Sequence, residues 1–149
     1  MEGPLVRFAA DCYIEYMEKP KPTVAVFNTS EDIVELFRVL LEREGFNTVM
    51  AHVPDIERGN VDLLKFVETH NPAAIVYDIA PPYEQSWNTV KTILDMKSMQ
   101  NRKFVFTTTN KVRLEKIIGH QTDAFEIAQK PFDFQVVVDA VKKALGMEN

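Results

Sequence analysis

The chain has 149 residues, of which 46% are hydrophobic and 26% are charged, so it is long enough to form one globular domain with a core of its own. Its formal net charge is −5 and it has no basic block, which argues against a nucleic-acid partner, and no apolar stretch has the length that a membrane span requires. The single cysteine, Cys12, excludes an internal disulfide and a cysteine-cluster zinc site, and it fits a cytoplasmic location.

Residues 1–22 differ in pattern from the rest of the chain. Apolar residues recur there at helical spacing, but the stretch EKPKP at 18–22 contains two prolines and cannot continue a helix. We therefore predict an N-terminal extension over 1–22, either a short helix that packs on the domain or a mobile arm that binds a partner. The main domain is predicted over 23–149.

Segments typical of strands and helices alternate from residue 23 onward. TVAVFN at 23–28 is short, apolar and β-branched, and after it apolar residues recur at i, i+3, i+4, i+7 and i+8, as on one face of a helix. The predicted strands are 23–28, 46–51, 73–78, 103–108 and 124–129. The predicted helices are 31–45, 61–70, 84–97, 110–119 and 133–146, with a polar connector over 52–60. Five alternating βα units predict an α/β domain, whose parallel sheet has helices on both faces.

Polar side chains stand where four of the predicted strands end. They are Asn28 and Thr29 after the first strand, Asp78 at the end of the third, Thr107 and Thr108 at the end of the fourth, and Lys130 after the fifth. The carboxyl ends of parallel strands form one edge of the sheet, where ligands bind in open α/β folds. We therefore expect a carboxylate, a hydroxyl and an ammonium group to converge at that edge.

This combination of groups suits phosphoryl transfer. Asp78 could act as the nucleophile and form an acyl phosphate, while Lys130 pairs with the carboxylate and Thr108 donates its hydroxyl to a phosphoryl oxygen. Each residue alone also has a structural explanation, as a capping aspartate, a solvated lysine or a strand-end threonine. Their combination at one edge favours the functional interpretation.

At these residues the chain resembles the receiver domain of bacterial two-component response regulators, over about residues 23–145. The family's phosphoacceptor loop, Asp-x-x-x-Pro, reads DIAPP at 78–82, and QKPF at 129–132 looks like the family's Lys-Pro-Phe signature. Thr108 and Lys130 follow Asp78 by 30 and 52 positions, as in the family. The resemblance implies a flavodoxin-like three-layer α/β/α sandwich with a five-stranded parallel sheet of order 2-1-3-4-5. It also implies phosphorylation of Asp78 and a cis bond between Lys130 and Pro131.

The expected metal site departs from the family pattern. The family ends its first strand with two acidic residues that help to bind Mg²⁺, whereas this chain has Asn28 and Thr29 there. The resemblance implies a Mg²⁺ site formed by Asp78, Asn28, Thr29 and the backbone carbonyl of Ala80. We expect this site to be weak or lost, because an amide and a hydroxyl contribute no charge.

Other departures concern the switch that would follow phosphorylation. Ile127 stands where the family often has an aromatic residue, Thr109 where it has a small residue, and Ser86 where it has glycine. Glu31 and Asp32 come directly after the first strand, and we assign them to the start of a helix, whose dipole favours acidic residues. The alternative is that Glu31 reaches the pocket through a water molecule and compensates for a missing acid. Slow phosphorylation and unusual or absent coupling are the expected result.

Two hypotheses follow. In the first, the chain is a receiver domain in phosphorelay signal transduction. A histidine kinase or a phosphotransfer protein then phosphorylates Asp78, and a downstream protein binds the face formed by 110–119, 124–129 and 133–146. In the second, it is a pseudo-receiver, a protein-binding module that needs no phosphate. A small flavin or nucleotide binder is a third, weaker alternative. Neither leading hypothesis makes the chain a turnover enzyme or gives it a nucleic-acid or membrane partner, and a homodimer remains open.

Overall fold

The computed structural model of the chain describes residues 21–130 and 133–147. The predicted helix or arm over 1–22 lies almost wholly outside the described residues, and the predicted cis bond between Lys130 and Pro131 also falls outside them. Both therefore stay predictions.

Strands and helices alternate along the described residues. The strands are β1 (Thr23–Asn28), β2 (Asn47–His52), β3 (Ala74–Ile79), β4 (Lys103–Thr108) and β5 (Glu126–Gln129). The helices are α1 (Glu31–Arg43), α2 (Val53–Glu57), α3 (Leu63–His70), α4 (Tyr83–Leu94), α5 (Lys111–Ile118) and α6 (Phe134–Ala144). Short 3₁₀ helices at Lys97–Met99 and Gly119–Ala124 precede β4 and β5. Within this part of the chain, no helix is both long enough and apolar enough to cross a membrane.

The five strands form one parallel sheet in the order β2-β1-β3-β4-β5. Because helices cover both faces, the predicted flavodoxin-like three-layer α/β/α fold with strand order 2-1-3-4-5 is confirmed. β3 lies in the middle of the sheet, and its pairing with β4 sets Asp78 opposite Thr107 and Ile79 opposite Thr108. All carboxyl ends of the strands therefore meet at one edge.

Two apolar layers form, one on each face of the sheet, because successive strand residues point to opposite faces. In β3, Val76 packs in the layer that contains α1 and α6, whereas Ile75 and Tyr77 pack in the layer that contains α2, α3, α4 and α5. All residues of β3 are buried. Asp78 is the only charged residue of this strand, and it shares its face with Val76.

The predicted polar connector over 52–60 contains a short helix, α2, and the prediction is wrong in this respect. Val53 and Ile56 are buried three positions apart, and Pro54 stands at the helix start, where a proline interrupts no helical hydrogen bond. The turn after the helix uses Gly59, whose φ of 75° is rarely adopted by residues with a Cβ atom. A helix of five residues is too short for apolar periodicity to reveal.

Candidate functional site

The carboxylate of Asp78 is the centre of a polar cluster at the carboxyl edge of the sheet. Its Oδ1 accepts a hydrogen bond from Thr107 Oγ1 at 2.8 Å and lies 2.7 Å from Lys130 Nζ. Its Oδ2 accepts a hydrogen bond from Thr29 Oγ1 at 3.0 Å. The Asp78 side chain is only 2% exposed, so these contacts offset the cost of burying its charge. We call these four residues the Asp78 cluster.

The members of the Asp78 cluster lie on different strands or directly after them. Thr29 follows β1, Asp78 and Thr107 are paired residues of β3 and β4, and Lys130 follows β5. The backbone N–H of Lys130 donates to the carbonyl of Thr108 at 2.7 Å, which extends the pairing of β4 and β5 by one residue. The structure thus brings together three of the residues that the sequence had suggested, namely Asp78, Lys130 and Thr29.

Thr108, which the sequence analysis also assigned to the site, is arranged differently. It pairs with Ile79, so its side chain points to the face of the sheet opposite Asp78. It is fully buried, and its hydroxyl accepts a long hydrogen bond of 3.4 Å from the backbone N–H of Asn110. The neighbouring Thr107 contacts Asp78 instead. The sequence analysis placed Thr107 at the same strand end but assigned the site role to Thr108. Strand alternation relates Thr107 to Asp78 only once the register of β3 and β4 is known.

The oxygen atoms of the expected Mg²⁺ site are already engaged within the protein. Asn28 Oδ1 accepts from the backbone N–H groups of Thr29 and Ser30 at 2.7 and 3.0 Å, and the carbonyl of Ala80 accepts from Ser86 Oγ at 2.7 Å. Thr29 uses its hydroxyl as a donor to Asp78. Among the described residues, no group of three or more histidine, cysteine, aspartate or glutamate side chains is arranged to hold a metal ion. These residues do not fit Mg²⁺, which prefers several oxygen ligands including carboxylates.

Glu31 does not supply the missing acid. Within the described part of the chain its carboxylate has no hydrogen-bond or ion-pair partner. It lines a cavity of about 440 Å³ between α1 and β2, together with Glu35 and His52. Asp78 is therefore the single carboxylate of its cluster.

Two side-chain contacts connect the segments that follow β3 and β4, beside the Asp78 cluster. The hydroxyls of Tyr83 and Thr109 are 2.8 Å apart, and Arg113 donates to Glu84 at 2.6 Å. A hydrogen bond from its own backbone N–H, assisted by Arg113, holds the pKa of the Glu84 carboxyl below its usual range. Both contacts join the start of α4 to the start of α5.

Aromatic residues fill the layer behind this edge. Ile127, at the position where an aromatic residue is usual, packs there beside Phe125, as strand alternation predicts. The Phe125 ring lies 5.0 Å from Phe106 and 6.0 Å from Trp87. Tyr77 lies in the same layer, and its hydroxyl is buried without a hydrogen-bond partner among the described residues. Burial, followed by the charges of Glu57 and Asp78, raises the pKa of Tyr77.

Comparison with known proteins finds likeness in structure only. No protein-family model matches the chain, and no curated protein matches it significantly. A sensor protein from Polaromonas sp. JS666 is 21% identical, with a TM-score of 0.68 over 87% of this chain and 100% of that one. A response regulator from Thermotoga maritima is 21% identical, with a TM-score of 0.66 over 85% and 99% of the two chains.

Chemotaxis response regulator CheY4 of Vibrio cholerae also matches. It is 17% identical, with a TM-score of 0.66 over 84% of this chain and 99% of that one. At such identities the likeness concerns the fold. The chain thus has the three-layer fold of response regulator receiver domains, with the Asp78 cluster at the carboxyl edge of its sheet.

Proposed function

We propose that the chain is a receiver-type signalling module in which Asp78 accepts a phosphoryl group from a histidine kinase or a phosphotransfer protein. The observation that carries this proposal is the Asp78 cluster, in which an ammonium group lies 2.7 Å from the carboxylate and two hydroxyls donate to it. Phosphoryl transfer needs a nucleophile and a cation that offsets the charge of the phosphoryl oxygens. The cluster supplies both.

One oxygen of Asp78 is better suited than the other to attack phosphorus. Oδ1 accepts from two donors, whereas Oδ2 accepts from Thr29 alone and keeps a free lone pair. Oδ2 forms the new bond to phosphorus while the bond from phosphorus to the donor's imidazole nitrogen breaks. The electron pair of that bond stays with the nitrogen. The ring, protonated on its other nitrogen, leaves as neutral imidazole, and the product is an aspartyl phosphate.

Access to Oδ2 requires a small movement. Asp78 is buried, whereas Thr29 is exposed and forms the outermost contact of the carboxylate. We expect the phosphodonor to reach Oδ2 when the Thr29 hydroxyl rotates away. In the product the negative charge lies on the phosphoryl oxygens rather than on the Asp78 carboxylate. The Lys130 ammonium then pairs with one of these oxygens.

The face formed by α5, β5 and α6 is the surface that we assign to the downstream partner. Lys130 follows β5 directly, and its backbone is bonded to β4, so a shift of Lys130 toward a phosphoryl group would pull on β5. The two neighbouring helices expose Val112 and Val136, which are 61% and 51% exposed. Apolar side chains there suit contact with another protein.

A second function is favoured by the shortage of acidic groups. Because Asp78 is the only carboxylate of its cluster and is already paired with Lys130, the same fold can serve as a pseudo-receiver that binds a partner without being phosphorylated. In that function the Asp78–Lys130 pair is structural. Partner binding would then be unchanged by phosphodonors.

Phosphorylation distinguishes the two functions. The chain is incubated with acetyl phosphate, with and without Mg²⁺, and its intact mass is measured. A mass increase of one phosphoryl group that Asp78→Asn abolishes supports the phosphoacceptor function. Asp139→Asn, at an exposed aspartate on α6, is the matched control and should be modified like the wild type. No modification of the wild type, or modification that persists in Asp78→Asn, contradicts the proposal.

A further inference from the structure

We propose that Asp78 functions as the phosphoacceptor without a divalent cation. The Lys130 ammonium and the hydroxyls of Thr29 and Thr107 balance and orient its carboxylate, as a metal ion would otherwise do. The role of Asp78 as a phosphoacceptor rests on the proposed function. The independence from a metal ion rests on the geometry of the cluster alone. Two features of the site lead to this inference, namely its net charge and the hydrogen bonds that its oxygen atoms already make.

The charge of the cluster is already balanced. Asp78 contributes one negative charge, and Lys130 contributes one positive charge at 2.7 Å. A divalent cation at the carboxylate would meet this ammonium and would find no second acid to offset the repulsion. Removing hydration water from Mg²⁺ is also energetically costly, and a single carboxylate offsets little of that cost.

The oxygen atoms are also committed to other partners. Those of Asn28 and Ala80 accept hydrogen bonds from the chain itself, and Thr29 points its proton at Asp78. A metal ion that used Asn28 Oδ1 and the Thr29 hydroxyl as ligands would have to displace their hydrogen bonds. Ser86 contributes here, because its hydroxyl donates to the Ala80 carbonyl at 2.7 Å.

Thr107 completes the arrangement from inside the protein. Its hydroxyl is fully buried and donates to Oδ1, the oxygen that Lys130 also contacts. Thr107 and Lys130 together fix Oδ1, while Oδ2 faces the exposed Thr29. Orientation of the carboxylate, which a metal ion would achieve by coordination, is thus achieved by hydrogen bonds. Thr29 and Thr107 are positioning residues in this scheme.

The direct test is calorimetric titration of the full chain with Mg²⁺. We expect the wild type to show no saturable binding up to about 10 mM, and Thr29→Asn to behave in the same way. Thr29→Asp places a second carboxylate beside Asp78, and we expect it to bind Mg²⁺ at least about tenfold more tightly than the wild type.

Two results would overturn the inference. One is wild-type Mg²⁺ binding with a Kd below about 1 mM that Asp78→Asn abolishes. The other is a folded Thr29→Asp chain that binds Mg²⁺ no better than Thr29→Asn. If circular dichroism shows that Thr29→Asp does not fold, the wild-type titration decides alone, since absence of binding supports the inference and binding at Asp78 refutes it.

A second measurement separates this inference from the proposed function. Acetyl phosphate should modify Asp78 at the same rate in Mg²⁺ and in EDTA, within about twofold, whereas a dependence on Mg²⁺ above about tenfold would refute metal independence. Absence of modification in both conditions contradicts the phosphoacceptor function, and calorimetry then still tests the metal inference.

Discussion

Two adjacent threonines at the end of β4 differ in what their hydroxyls do. Thr107 donates to the buried carboxylate of Asp78 at 2.8 Å, whereas Thr108 makes only a long contact of 3.4 Å with a backbone N–H. Thr107→Val should therefore lower the free energy of unfolding by about 1.5–3 kcal/mol, because it removes a hydrogen bond to a charged group. Thr108→Val should cost less than about 1 kcal/mol.

Urea unfolding of the two variants provides this comparison. Valine has the shape of threonine, so each variant serves as the packing control for the other. Equal losses, or a larger loss in Thr108→Val, would mean that the hydrogen bond from Thr107 to Asp78 does not stabilise the fold.

Tyr77 links stability to alkaline pH. Burial, followed by the charges of Glu57 and Asp78, raises its pKa above the usual 10.0, so the folded chain keeps a proton that the unfolded chain loses. The stabilisation is fully present below about pH 10 and declines as pH rises further. Tyr77→Phe removes this dependence and also removes a buried hydroxyl that has no partner among the described residues. We expect it to raise stability at pH 7 by about 1 kcal/mol.

Urea unfolding at pH 7 and at about pH 10.5 tests both effects of Tyr77. The gain from Tyr77→Phe should be larger at the higher pH. A variant that is less stable than the wild type at pH 7 would indicate that the hydroxyl has a hydrogen-bond partner after all.

At the same scale, the sequence predicted part of the site. The convergence of Asp78, Lys130 and Thr29 follows from their positions at strand ends, since a parallel sheet brings those ends to one edge. The contact of Thr107 with Asp78 could not be predicted, because it depends on the register between β3 and β4. The contact of Ser86 with Ala80 depends on how the loop returns to α4, which no local pattern specifies.

The helices differ in how their first turns are capped. Asp62, the N-cap of α3, accepts a hydrogen bond from the backbone N–H of Lys65 at 3.1 Å, whereas Ser30, the N-cap of α1, makes no such bond with its side chain. Asp62→Ala should therefore cost about 1 kcal/mol of stability, and Ser30→Ala should cost less than about 0.5 kcal/mol. Thermal unfolding of the two variants measures the difference, and a reversed order would contradict this account of the caps.

Strands were easier to predict than the short connections between them. β1 and β4 match their predicted bounds, because their runs of buried apolar residues end sharply at polar ones. β5 begins at Glu126 rather than at residue 124, since a 3₁₀ helix occupies Gly119–Ala124. α2 was missed because two buried residues are enough to hold a single turn on the sheet, and two residues make no periodic pattern.

Over the whole molecule, the two apolar layers share one sheet and should unfold together. Leu41 is fully buried in the layer with α1 and α6, whereas Trp87, the only tryptophan of the chain, is buried in the other layer. Leu41→Ala should lower the free energy of unfolding by about 2–5 kcal/mol. Because unfolding of a single domain is cooperative, Trp87 fluorescence and far-ultraviolet circular dichroism should report the same lowered midpoint.

Val39→Ala is the control for this substitution, because Val39 is on the same helix and 46% exposed. It should change stability by less than about 0.5 kcal/mol. Separate midpoints for fluorescence and circular dichroism in Leu41→Ala would mean that the layers unfold independently.

The pairing of Asp78 with Lys130 also affects how a partner first meets this protein. One positive and one negative charge 2.7 Å apart form a dipole, whose field is weak beyond about 8 Å in physiological salt. Diffusional steering of an approaching molecule therefore comes from the remaining surface, over which the chain's formal net charge of −5 is distributed. Ionic strength should then alter the rate of encounter through that surface, while the chemistry at the edge of the sheet stays insensitive to it.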